Sequence, residues 1–267
     1  MIYILLRYIF RYRIEVIRKN LRNSFPEKSD KEIEEIVNKY YKNLSSQIVG
    51  TFQQIFVSKK TLKKRCVVRN IEFIEDLVAR GHNPIVVFGH FGNYELLSSS
   101  PLWSNKLIFA SIYKRINNRP IEKMMKKIRE RLGTVFIEKK ETRRRLNEMR
   151  STGVSYALAV LADQTPSRAK TKIWIDFLNQ PTPVISGWTS IARNYNDAVV
   201  FLNIIPKENG HYEFDLELLT ENPKEMTDKE LCEAYMHRLE KEIIANPSYW
   251  MWSHKRWKYT PTDDILL

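Results

Sequence analysis

The alternation of short apolar runs with amphipathic stretches, which begins near residue 66, constrains the fold more than any other feature. Strand-type runs include "PIVVFG", "LIFASIY", "TVFIEK", "SYALAVLAD" and "AVVFLNII". Stretches with helical spacing lie between them, and Gly81 and Gly133 stand where helix C-caps are expected. This pattern predicts an α/β fold in which helices cover both faces of a mixed central sheet.

The first quarter of the chain has a different, helical character. "SDKEIEEIVNKYYKNLSSQIVGTFQQIF" opens with Ser29 and Glu32 at the spacing of a capping box and continues with helical periodicity, which predicts a long helix. We therefore expect an N-terminal helical, membrane-facing segment over residues 1–65, followed by an α/β domain over residues 66–267. Because no repeat or flexible linker separates them, both parts should form one continuous domain.

The charge of the chain bears on its partners. In 267 residues, 44 Lys and Arg oppose 31 Asp and Glu, which gives a formal net charge of +13. Such a charge steers the protein toward anions: nucleic acid, an anionic membrane or an acidic protein. The two cysteines, Cys66 and Cys232, lack the spacing of a zinc site or a disulfide framework.

The stretch "MIYILLRYIFRYRIEVIRKNLRNSF" at the N-terminus mixes aliphatic and aromatic residues with arginines. Its longest uncharged run is far short of the roughly 20 residues that a membrane span needs. The composition fits a helix that lies in an anionic lipid interface, with arginine heads at the phosphates. It fits equally an amphipathic helix that caps the domain core, and the sequence leaves both interpretations open.

The segment "NPIVVFGHFGNYE" places His90 immediately after a strand and Glu95 five residues later. Ligands of open α/β sheets bind beyond the carboxyl ends of the strands, where His90 is expected to lie. Gly89, Gly92 and Asn93 favour a turn, so Glu95 would fall in the first helical turn after it. There a carboxylate could orient the imidazole and raise the basicity of its second nitrogen, as in a general-base dyad.

The same spacing also occurs in ordinary turns, and a purely structural hydrogen-bonded pair remains an alternative. No third ligand with recognisable spacing lies near His90, so we expect no metal. The chain also lacks a G-x-S-x-G nucleophile elbow, so His90 would activate a substrate hydroxyl and not a protein nucleophile.

Three further stretches carry candidate binding residues. Residues 114–131 hold eight basic residues against two acidic ones, which suits phosphate binding or a solvated helix face. "VLADQTPSRAKTK" ends an apolar run with Asp163 and Gln164, as either a substrate-orienting acid or a strand-end turn. "NPSYWMWSHKRWKY" interleaves aromatic and basic residues that could stack on bases, meet lipid headgroups or close the core.

Taken together and in order, these blocks resemble the bacterial lipid A late acyltransferases, a branch of the lysophospholipid acyltransferase superfamily. The resemblance runs from about residue 10 to residue 258. It rests on "YR" with "NLRNSFP", on "GHFGNYE" as an H-x4-D/E motif, and on "IRERLG", "LADQ" and "YWMWSHKRWK".

The resemblance implies that an acyl chain moves from acyl carrier protein to a hydroxyl of a lipid A precursor at the cytoplasmic face of the bacterial inner membrane. His90 would be the general base and Glu95 its orienting acid. Arg129, with Arg131 as a near competitor, would bind a phosphate or carbonyl oxygen. Asp163, of less defined role, Gln164 and Asn93 complete the expected substrate-binding set. The thioester donor is already activated, so neither a cofactor nor a metal is expected.

The sequence departs from the family in two places. Members usually begin with a hydrophobic membrane helix, and "MIYILLRYIF" would correspond to its last turns, so we expect peripheral attachment for this chain. Asn179 stands where the family often has Gly. The acceptor stays open between a lipid A precursor and another lipid, such as a lysophospholipid or amino-acid lipid. A non-catalytic basic module for lipid or nucleic acid is a further alternative, but no nucleic-acid motif supports a nucleic-acid partner.

Overall fold

A computed structural model describes residues 1–170 and 172–261 of the protein. The N-terminal part is helical as predicted: α1 (Ile2–Ile4), a π-helical turn (Leu5–Ile9), α2 (Ile14–Ser24), α3 (Asp30–Gln53) and α4 (Lys59–Arg65). Ser29 and Glu32 form the predicted capping box at the start of α3, which satisfies backbone donors that the first turn leaves free. The first strand follows α4 directly.

The remainder alternates strands and helices. In chain order it contains β1 (Cys66–Val68), α5 (Ile71–Ala79), β2 (Ile85–Phe88), a 3₁₀ segment (Tyr94–Leu102), β3 (Ile108–Tyr113), α6 (Arg119–Glu130), β4 (Val135–Glu138), α7 (Thr142–Ser151), β5 (Tyr156–Leu161), β6 (Trp174–Phe177), β7 (Gln180–Pro183), α8 (Gly187–Tyr195), β8 (Val199–Pro206), β9 (Tyr212–Thr220) and α9 (Asp228–Ala245). Short 3₁₀ turns lie at Arg168–Lys170, Glu208–Gly210, Pro223–Glu225 and Pro247–Tyr249.

Seven strands form a mixed sheet in the order β1-β9-β8-β2-β5-β3-β4. The pairing of β8 with β9 is antiparallel, whereas the other pairs of this sheet are parallel. All four residues of the central strand β2 are buried. Because successive side chains point to opposite faces of a sheet, both faces are covered at this strand. The predicted α/β class with a mixed, helix-covered sheet is confirmed.

The N-terminal stretch combines features of the two interpretations that the sequence left open. Ile17 and Leu21 of α2 are fully buried in the core, and Asn20 donates hydrogen bonds to the backbone carbonyls of Trp252 and His254, each at 2.9 Å. By contrast, Ile9 and Phe10 are exposed. Thus α2 caps the core while the residues before it present apolar side chains outward. Within the described residues, no helix has the length and apolar character needed to cross a membrane.

A short antiparallel hairpin of β6 and β7 explains the departure at Asn179. Leu178 and Asn179, the two residues between the strands, have φ of 50° and 60°. Positive φ at both central positions defines the hairpin turns that favour Gly, and Asn tolerates this region better than most other residues. Asn179 can therefore take the place of the glycine without changing the turn.

Candidate active site

His90 and Asp163 meet because their strands are neighbours in register. Strand β2 pairs with β5 in parallel, and Phe88 lies opposite Leu161 at the end of the shared ladder. His90 and Asp163 each follow two residues later, so the same edge of the sheet brings both side chains to one place. This is the carboxyl edge, where ligands of such sheets bind.

Three hydrogen bonds hold the Asp163 carboxylate. Its Oδ1 lies 2.6 Å from His90 Nδ1, and its Oδ2 accepts from the His90 backbone N–H at 2.8 Å and from Trp250 Nε1 at 2.9 Å. An ionised carboxylate only accepts, so Nδ1 carries the imidazole proton and Nε2 keeps a lone pair. Gln164 Nε2 lies 3.2 Å from this nitrogen, a distance at which the amide donates to it.

The surroundings of Asp163 keep it ionised. Burial by itself raises the pKa of this carboxyl, but the charge that His90 carries when protonated, the two hydrogen bonds from His90 and the bond from Trp250 outweigh burial and lower the pKa to about 2. The carboxylate is 2% exposed and the imidazole 13%. A fixed negative charge behind Nδ1 stabilises the imidazolium that forms when Nε2 takes a proton.

The predicted contact between His90 and Glu95 is wrong. Glu95 does lie in the first turn after the His90 loop, but both of its oxygens accept from Arg129, with Nε at 2.9 Å and Nη2 at 2.6 Å. Burial tends to lower the pKa of Arg129, yet the hydrogen bond and charge of Glu95 raise it, so the guanidinium stays charged. His90 instead contacts the ring of Tyr94, edge to face, with the centroids 4.9 Å apart. Asp163, and not Glu95, therefore holds the imidazole.

The predicted binding residues Gln164, Arg131 and Asn93 have different contacts. Gln164 contacts His90, as described above. Arg131 donates to the backbone carbonyls of Gln54 at 2.5 Å and Val57 at 2.8 Å, which ties the end of α6 to the end of α3. Asn93 is buried beside the His90 turn, and its Oδ1 has no hydrogen-bond partner within the described part of the chain.

The C-terminal segment packs against Asp163 and against the turn that follows His90. Besides the bond to Asp163, Trp250 forms an isolated antiparallel bridge with Phe91, and the Gly92 N–H donates to the Tyr249 carbonyl at 3.0 Å. Gly92 has a φ of 51°, and a Cβ at this position would lie 2.7 Å from the Tyr212 ring. Of the three roles considered for the tryptophan cluster, closing the core is the one observed, because Trp250 and Trp252 are both buried.

Two further residues of this segment were not among the predicted site residues. His254 Nε2 accepts from the Thr165 N–H at 3.2 Å, and burial lowers the pKa of this imidazole to about 4, so it is neutral at pH 7. Arg256 is fully buried, and burial lowers the pKa of its guanidinium to about 10 against the opposing charge of Asp163. The sequence singled out their cluster, but no pattern in it indicated that the segment folds back onto Asp163 and Thr165.

The arrangement provides a histidine base with a fixed tautomer and an ionised partner. Among residues 1–170 and 172–261, no group of three His, Cys, Asp or Glu side chains is placed to hold a metal ion. Both cysteines are buried, and burial raises their pKa to about 12, so neither supplies a thiolate near neutral pH. What the site can do is remove a proton from a hydroxyl bound at His90 Nε2.

The chain is similar to known proteins over almost its whole length. Residues 3–259 match the family model described as bacterial lipid A biosynthesis acyltransferase. Two relatives are the lipid A biosynthesis palmitoleoyltransferase of Escherichia coli (strain K12) and a lipid A biosynthesis acyltransferase of Shigella flexneri. Each is 22% identical over 256 residues, which cover 96% of this chain and 82% of the relative.

Proposed function

The chain belongs to the bacterial lipid A biosynthesis acyltransferase family, and from this premise we propose that it transfers a fatty acyl chain from acyl carrier protein to a hydroxyl of a lipid A precursor. The family establishes an acyltransferase of lipid A biosynthesis. The thioester donor, the particular acceptor and the roles of the residues are our proposal.

The observation that carries the mechanism is the 2.6 Å contact of His90 Nδ1 with Asp163, which leaves the lone pair of Nε2 for the substrate. An acceptor hydroxyl that replaces the Gln164 amide at this nitrogen loses its proton as the oxygen attacks the thioester carbonyl. The tetrahedral intermediate then expels the carrier thiolate, and the imidazolium returns the proton to that sulfur. Asp163 holds the tautomer and stabilises the imidazolium throughout. Proton removal of this kind contributes about 10²- to 10⁴-fold in rate, and holding donor and acceptor together supplies much of the remainder.

The remaining residues fit substrate binding in different ways. Gln164 lies where the acceptor must approach, and the unpartnered Oδ1 of Asn93 can accept from a substrate hydroxyl. Glu95 holds Arg129 in place, so we propose that Arg129 acts on a phosphate or carbonyl oxygen from that fixed position. Arg131 contributes by positioning α6 against α3, because its guanidinium is bonded to backbone carbonyls.

Charge supports the proposed partners. Acyl carrier protein is acidic, lipid A precursors carry phosphates, and the inner leaflet is anionic, so a protein of net charge +13 attracts all three. Each basic residue near an anionic surface contributes about 1 kcal/mol. We propose peripheral attachment at the cytoplasmic face of the inner membrane.

The test is an incubation of the purified protein with acyl carrier protein thioesters of several chain lengths. Tetra-acylated lipid A precursor and lysophospholipids are offered in separate reactions, and products are identified by mass spectrometry. We expect the precursor to gain one acyl mass or two. Product with a lysophospholipid but not with the lipid A precursor would overturn the acceptor assignment. In a parallel reaction with acyl coenzyme A, product from that donor but not from the carrier thioesters would overturn the donor assignment.

A further inference from the structure

One face of helix α3 packs against the rest of the protein, and the other face is exposed. Gly50 packs so closely on the site turn that a Cβ there would lie 2.9 Å from Asn93 Nδ2, and the Gln54 side chain accepts from Ser98 at 3.3 Å. Phe52 is two residues from each, which is about 200° around a helix, so it projects to the other side. Phe52 is 41% exposed, and Phe56, in the turn that continues the helix, is 84% exposed. The exposed Val49 lies one turn before Phe52.

The N-terminal residues extend this exposed side. Arg7 donates to Glu34 at 2.9 Å and to Asn38 at 3.0 Å, which fastens the first helical turns to the beginning of α3. Glu34 and Phe52 are eighteen residues apart, or five turns at 3.6 residues per turn, so they point in the same direction. The first turns therefore lie on the same side of α3 as Phe52. The outer apolar face is defined here by its exposed side chains: Ile4, Ile9, Phe10, Val49, Phe52 and Phe56.

The amount and grouping of this exposed apolar surface are unusual. Single exposed apolar residues, such as Leu218 and Ile244 elsewhere on the protein, are normal on soluble surfaces. Six large apolar side chains, two from α3, one from the turn after it and three from the N-terminal residues packed on α3, indicate a surface that another apolar medium covers. Aromatic rings beside aliphatic chains are typical of segments that rest at the boundary of a bilayer.

The residues that follow Phe56 indicate the charge of the covering surface. Helix α4 has the sequence "KKTLKKR", with no acidic residue. Lys59, Lys60, Lys63 and Lys64 are exposed, and Lys63 lies over the Trp103 ring at 5.0 Å from its centroid. Four lysine heads beside an apolar stripe complement anionic headgroups above an acyl layer.

We infer that the outer apolar face inserts into the interface of an anionic bilayer, with the α4 lysines at the headgroups. This inference rests on the proposed function, since it places the enzyme at the surface that holds a lipid acceptor. Helix α3 then stands between the bilayer and the His90 turn, and its diameter of about 10 Å sets the distance between them. An acceptor whose tails remain in the bilayer would be presented at that short distance from the site.

The test is co-sedimentation with vesicles of phosphatidylglycerol and phosphatidylcholine, compared with vesicles of phosphatidylcholine alone. We expect preference for the anionic vesicles, and binding weakened about tenfold or more in the double variant Phe52→Ser with Phe56→Ser. The matched control is Leu218→Ser with Ile244→Ser, which removes two residues of 38% and 57% exposure elsewhere. The control should bind as the wild type does. Reversal of charge by Lys59→Glu with Lys63→Glu should abolish the preference for anionic lipid.

Activity toward a detergent-dispersed acceptor separates this inference from the proposed function. The phenylalanine variant should keep wild-type turnover in detergent and lose it on vesicles. If the wild type binds vesicles but shows no transfer in detergent, the proposed function is refuted, whereas the inference about the outer apolar face is retained. Unchanged vesicle binding in the phenylalanine variant would overturn the inference. The inference would also be overturned if the wild type did not bind vesicles but self-associated, and if the two phenylalanine substitutions abolished that self-association. A second copy of the protein would then cover the face.

Discussion

Replacement of Asp163 by Asn is the perturbation that most sharply separates the observed site from the one that sequence spacing suggests. The carboxylate accepts at Oδ1 from His90 Nδ1, and at Oδ2 from the His90 backbone N–H and Trp250 Nε1. An amide can place its NH₂ at only one of these positions. At Oδ2 it would confront two donors, so it should turn its NH₂ toward Nδ1. The imidazole proton then moves to Nε2, which leaves no lone pair for the substrate.

The magnitude follows from these contacts. A hydrogen bond to a charged group contributes about 1.5–3 kcal/mol, or roughly 10- to 150-fold in rate. Loss of the correct tautomer removes most of a general-base contribution of about 10²- to 10⁴-fold. The two losses overlap because they involve the same bond, so we expect kcat to fall about 10³- to 10⁴-fold. In Ser–His–Asp triads the same substitution lowers kcat about 10⁴-fold for the same reason.

The assay is single-turnover acyl transfer from the carrier thioester at saturating enzyme, followed by mass spectrometry. Circular dichroism and thermal unfolding are used to check that the Asp163→Asn variant is folded. Glu95→Gln is the matched control, since it also neutralises one carboxylate, a half-buried one, in the site region. An Asp163→Asn rate within tenfold of the wild type would refute the assignment of Asp163 as the group that holds His90.

Three further outcomes are expected. Glu95→Gln breaks a half-buried ion pair with Arg129, so the free energy of unfolding in urea should fall by about 1–3 kcal/mol. The value of kcat should fall less than in Asp163→Asn; an equal fall would contradict this. Trp250→Phe removes one donor to Asp163, and kcat should drop about tenfold with no change in far-ultraviolet dichroism. Burial raises the pKa of Glu242 from 4.5 to about 8, so between these pH values the native protein keeps a proton that the unfolded chain releases. The free energy of unfolding of the wild type should therefore fall as the pH rises from 4.5 to about 8. Glu242→Gln should therefore gain about 2–4 kcal/mol over the wild type between pH 5 and pH 9; parallel stability curves would refute it.

The sequence predicted much of this fold because its signals are local. The capping box at Ser29 and Glu32 and the buried run of β2 report structure within a few residues of themselves. Strand order is a different matter, since no local pattern states that β5 pairs with β2. His90 and Asp163 were both expected at strand ends, yet 73 residues separate them. Without the pairing, the nearer acid Glu95 was the natural partner to predict.

The N-terminal and C-terminal segments show the same limit. Their amphipathic and aromatic compositions were evident, but each composition allowed several environments. The structure joins them, since Asn20 of α2 bonds to the carbonyls of Trp252 and His254 across more than two hundred residues. The burial of the tryptophans accompanies that long-range packing, which periodicity within either segment does not encode.

The proposed mechanism requires His90 as the base. The direct measurement is the single-turnover rate of His90→Gln with acyl carrier protein thioester and tetra-acylated lipid A precursor, compared with the wild type under identical conditions. We expect transfer by the wild type and a loss of about 10²-fold or more in the folded variant. A variant that transfers the acyl chain at most of the wild-type rate would contradict this mechanism.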